Sequence, residues 1–139
     1  MVKKRKKPEK RMIHRFRHIK GTWCDVDYKM IHACFDLLCD FVEKEQGLVV
    51  LKDQWDHYKN LKWSEAKQQG YENKAAVNNV MQSRRWDYEE VLDLYTWWTT
   101  EYLPKYKSGD WDPIWAPEHF EEEQDALRRL ITIRQKLWT

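Results

Sequence analysis

His32, Asp36 and Asp40 stand at i, i+4 and i+8, so a helix through them carries an imidazole and two carboxylates in a single row. These groups can move protons or hold a divalent ion. A metal centre needs ligands from more than one element, and Asp25, Asp27, Asp110, Asp112 and His119 are the further candidates. Asp25, Asp27, His32 and His119 together would suit a metal-dependent phosphoester hydrolase. The plainer expectation has His32 as a satisfied core or boundary histidine, the acids partly solvated, and no metal or cofactor bound.

A second constellation joins charge to aromatic rings. Residues 1–20 carry ten basic side chains against the single acid Glu9, a local net of +9 in a chain whose total is +2. The remaining 119 residues therefore carry −7. An arm of this kind attracts phosphates or acidic surfaces. Nine Trp, seven Tyr and four Phe accompany it. Arg11, Arg15, Arg17 and Lys20 could face phosphate while Trp23, Trp111 or Trp115 stacks on a base. Rings used by the core cannot stack, and most of the Trp are expected to be core.

Other chemistries find little footing. There is no G-x-S-x-G, P-loop, H-E-x-x-H or glycine-rich phosphate cradle, so enzymatic activity is not the leading expectation. Cys24, Cys34 and Cys39 are odd in number and spaced unlike a C-x-x-C pair, which suits reduced core thiols in a reducing cytoplasm. No apolar run is long enough for a membrane span, and the arm lacks the apolar stretch of a signal peptide.

Positioning these residues falls to helices. The chain divides into a basic arm over 1–20, partly helical through Met12, Ile13, Phe16 and Ile19, and a single helical domain over 21–139. A central helix is predicted from Asp25 or Asp27 to about Gln46, with Val26, Met30, Ala33, Leu37 and Phe41 in one apolar stripe and Ile31, Cys34, Leu38 and Val42 in its neighbour. Leu48 to Leu51 reads as a short strand or a buried connection. Trp55 to Gln69 is moderately helical, and Lys74 to Arg84 could add a short helix.

Asp87 with Glu90 reads as a capping box that opens a new helix, which closes before Pro104. An irregular loop over Lys105 to Ala116 follows, anchored by Trp111 and Trp115. The last helix starts at Pro117, acidic first and basic later, and buries Phe120, Leu127, Leu130, Ile131, Leu137 and Trp138. The expected fold is thus mainly α, a single-domain bundle of about four to six helices with an irregular Trp-rich loop.

The segment Trp23-Cys24-Asp25-Val26-Asp27-Tyr28-Lys29-Met30-Ile31-His32-Ala33-Cys34-Phe35 resembles a signature of small, uncharacterised proteins of tailed bacteriophages. Leu94-Tyr95-Thr96-Trp97-Trp98 and the ending Leu130-Ile131-Thr132-Ile133-Arg134-Gln135-Lys136-Leu137-Trp138-Thr139 resemble later parts of the same family. The likeness spans Trp23 to the terminus. It implies a setting, the cytoplasm of an infected bacterium, and brings no activity, cofactor or catalytic residue.

The resulting expectation is a non-catalytic accessory protein that binds an anionic, base-containing ligand: a nucleotide signal sequestered from host defence, or a nucleic acid. An inhibitor docking on a host protein, and the metal-dependent hydrolase, are the alternatives. No membrane partner is expected, and an aromatic surface would favour a homo-oligomer.

Overall fold

The computed structural model describes the backbone of residues 26–137 and side chains from Lys29 to Leu137. Among these residues there are six α-helices, one π-helical turn, one 3₁₀ turn and no strand: a mainly α, bundle-like fold. No described helix is long and apolar enough to cross a membrane.

Helix α1 runs Val26–Glu43. Its inward face is not the pair of stripes expected from apolar spacing. Met30 and Leu37 point outward, 60% and 42% exposed, while Ile31, Phe35, Leu38, Cys39 and Phe41 are buried. His32, Asp36 and Asp40 go inside with them, so the two acids are buried rather than partly solvated.

In the turn into α2 (Gly47–Lys59), two neighbouring residues meet separate demands. Gln46 takes the left-handed conformation, with φ 53° and ψ 42°, although a glycine there would adopt it at lower cost. Gly47 is needed for space: a Cβ on it would lie 2.2 Å from Phe41 Cε1. The Leu48–Leu51 run is therefore the first turn of a helix, neither strand nor connection. Leu48, Leu51, Trp55 and Tyr58 recur at helical spacing, and α2 packs along α4.

The expected Trp55–Gln69 helix is broken at Asn60–Lys62. A short α3 (Trp63–Gln68) follows and stops ahead of Gly70, whose φ is +91°. Helix α4 then runs unbroken through Lys74–Thr96, merging the two helices expected there. Asn73 is the actual cap, its side chain accepting from the Ala76 N–H at 2.8 Å. Asp87 caps nothing. It lies mid-helix, 1% exposed, between Arg84 Nη1 at 3.5 Å and Lys136 Nζ at 3.6 Å.

Pro104 does not end the helical path either. A π-helical turn, Trp97–Tyr102, follows α4 and leads into α5 (Leu103–Ser108), which has Pro104 in its first turn. The wide turn has already interrupted the ordinary ladder, so the missing proline N–H costs little there. Thr99 and Thr100 donate hydroxyl protons back to the Tyr95 and Thr96 carbonyls at 2.9 and 2.6 Å.

Gly109, at φ +81°, closes α5, and an irregular segment over 110–116 leads to α6 (Pro117–Ile133) and a 3₁₀ turn (Arg134–Leu137). Helix α6 buries Glu123, Ala126, Leu130 and Ile133, whereas Phe120 and Ile131 face outward, 48% and 53% exposed. Arg129 ties α6 to α4 by donating to Glu90 at 2.5 Å and to Asp93. Hydrogen bonding to Glu90 leads the effects that raise its guanidinium pKa above the ordinary arginine value.

Candidate functional site

The row His32, Asp36, Asp40 is built into the core, each residue 2% exposed or less. His32 Nε2 lies 3.3 Å from the Tyr102 hydroxyl, and its ring meets those of Trp98, Tyr102 and Tyr106 at centroid distances of 5.0, 5.5 and 4.6 Å. Beside it Phe35, Trp98, Tyr102 and Tyr106 form a column, with successive centroids 4.6, 4.3 and 5.8 Å apart and planes within 13°. The π turn and the spacing 98, 102, 106 align these rings. Asp40 pairs with Lys44 Nζ at 3.2 Å. A substrate from solvent does not reach this imidazole, whose place is that of a packed core histidine.

The alternative metal set is not brought together among the described residues, where no three His, Cys, Asp or Glu side chains are grouped to hold an ion. Asp25 and the Asp27 side chain lie outside the described residues. His119 instead braces the loop: its Nδ1 accepts the Asp112 N–H at 3.0 Å, and its ring stacks on Trp111 at 4.3 Å and 12°.

That stack belongs to the feature the Trp-rich loop builds. Trp111 turns inward, 5% exposed, and donates its indole N–H to Glu123 at 2.6 Å; it is sealed in the core and cannot stack on a ligand. The Asp112 carboxylate accepts from the N–H groups of Ile114 and Trp115 at 3.0 and 3.1 Å, fixing a tight turn. Outside it stand Trp115, 84% exposed, and Ile114, 67% exposed, close in sequence to the outward Phe120. From Gly109 to Leu127 the chain has seven acids and no Lys or Arg. The result is a fixed apolar tip on a strongly acidic segment.

Of the residues nominated for an anionic ligand, Arg11, Arg15, Arg17, Lys20 and Trp23 lie outside the described residues, as does the helix expected through Met12–Ile19. Trp115 is the described ring that stays open. Cys34 and Cys39 are free thiols, and burial pushes the Cys34 thiol up from its ordinary pKa.

A further concavity has no counterpart among the sequence motifs. Helix α2, helix α4 and the 3₁₀ turn enclose a polar cleft of about 510 Å³ whose walls include His57, Tyr58, Arg84 and Lys136. Its parts are dispersed along the chain, and no local pattern could have signalled it.

Compared with protein-family models, curated proteins and solved structures, the chain matches none.

Proposed function

We propose that this chain is a non-catalytic accessory protein of a tailed bacteriophage, acting in the infected host by docking on a host protein. The observation that carries this reading is the display of Trp115. An indole held out by a hydrogen-bonded turn has little conformational freedom left to lose on binding, and Trp is prominent among residues that dominate interface energies. Ile114 and Phe120 extend the apolar area, and the acidic segment sets the partner's chemistry: an apolar pocket with a basic rim.

The test is a photo-crosslinking residue at position 115 in a nuclease-treated bacterial lysate. One discrete protein adduct is expected, weakened by salt and by the charge reversals Glu118→Lys and Glu121→Lys. No protein adduct, or one indifferent to both treatments, overturns the reading.

A second reading is favoured by the +9 charge of residues 1–20: capture of a nucleotide signal or nucleic acid by Arg11, Arg15, Arg17 and Lys20 with Trp23 stacking. Trp115 is a poor stacking platform for such a ligand, because neighbouring carboxylates repel phosphate. Nucleotide affinity that ignores salt, or survives replacement of those four cations by Gln, defeats this second reading.

A further inference from the structure

We infer that the cleft between α2, α4 and the 3₁₀ turn is a binding site for a small phosphate-bearing molecule, separate from both the basic arm and the Trp115 tip. Three elements each bring a nitrogen-bearing side chain to its walls: His57 from α2, Arg84 from α4 and Lys136 from the 3₁₀ turn. Phosphate offers several acceptor oxygens, and an arginine fork with a lysine ammonium is a common means of holding them.

The two cations are positioned from beneath. Asp87 is buried, 1% exposed, is not part of the wall, and lies 3.5 Å from Arg84 and 3.6 Å from Lys136. A single carboxylate at these distances orients both cations while leaving donors of each unused. The Arg84 guanidinium carbon also sits 6.0 Å from the Tyr58 ring centroid, which restrains it further. Asp53, an exposed residue, is the one acid of the wall, so fixed positive charge exceeds negative at the surface a ligand meets.

The volume of about 510 Å³ accommodates more than a bare anion. Leu51 and Tyr58 supply an apolar side for the organic part of the ligand, and Gln54 and Gln135 supply amides for its hydroxyl groups.

Nitrogen-15 NMR titration of the full chain with inorganic phosphate and with glycerol phosphate tests the inference, with acetate at equal ionic strength as control. Saturable shifts are expected at the amides of Leu51–Tyr58 and Lys136 with both phosphates and not with acetate. His57→Glu, at an exposed position outside the ion pair, should weaken phosphate binding about tenfold by like-charge repulsion. Trp115→Ala, and replacement of Arg11, Arg15, Arg17 and Lys20 by Gln, should leave it unchanged. The inference is overturned by non-saturating shifts, by an equal response to acetate, by indifference to His57→Glu, or by loss on neutralising the arm.

Discussion

The Trp111 indole donates to Glu123 Oε1 at 2.6 Å, so a loop residue and a residue one third of the way along α6 satisfy each other inside the core. This bond, with the His119 stack behind it, determines where the tip can stand. Glu123→Leu leaves the indole N–H without that acceptor and is expected to cost about 1–3 kcal/mol, with Glu123→Gln milder. Urea unfolding of the three proteins checks the order.

Trp111 and Trp115 are four residues apart and should behave oppositely. Trp111→Ala empties a core position and is expected to destabilise by about 3–5 kcal/mol. Trp115→Ala should stay within about 0.5 kcal/mol of the parent, because the side chain is 84% exposed. Equal losses in calorimetry would show that the tip is packed and not displayed.

The α1–α2 turn makes a paired prediction. Gly47→Ala drives a methyl into Phe41 and should cost about 1–3 kcal/mol, recovered in part by adding Phe41→Leu. Gln46→Gly relieves the left-handed strain and should be neutral or stabilising by up to about 1 kcal/mol. Thermal melts of the single and double variants distinguish the two effects.

These positions also show what could be read from residues alone. Helix content, the Pro117 start of α6 and the irregular tryptophan loop follow from local signals, because caps, prolines and charge gradients act within a turn or two. The capping box at Asp87 failed because tertiary partners, Arg84 and Lys136, offered its carboxylate a buried role that a local pattern does not encode. Apolar spacing likewise misplaced the inner face of α1: aromatic rings elsewhere in the chain could take in His32, while Met30 and Leu37 had no comparable companions. Trp111 and Trp115 were equivalent as letters, and only the Asp112 turn separates them.

Arg129 joins α4 to α6 with a guanidinium pKa raised in the fold. A basic group shifted upward contributes fully below its unfolded value and loses that contribution only as pH climbs past it. The stability gap between the parent and Arg129→Gln should therefore be the same at neutral and mildly alkaline pH, as measured by urea unfolding in each buffer. A gap that closes under mild alkali would contradict the assignment.

For Cys34 the sign runs the other way with respect to charge. Burial raises the thiol pKa, so the fold favours the uncharged form, and its stabilising effect drains as pH rises above the ordinary thiol value. Thiolate is the reactive species, so native Cys34 should alkylate more slowly at neutral pH than in the denatured chain. Peptide mass spectrometry after timed iodoacetamide treatment reads this directly.

The widened turn at Trp97–Tyr102 amounts to one surplus residue carried within an otherwise continuous rod. Excising Thr100, whose side chain faces solvent, would wind the rod back to ordinary pitch and swing everything beyond it by about 100°. Tyr102 and Tyr106 would then leave their column, and the imidazole of His32 would lose two of its three neighbouring rings. A single-codon deletion at an outward-facing site would thus dismantle the centre of the protein, while many substitutions at that same codon would pass unnoticed.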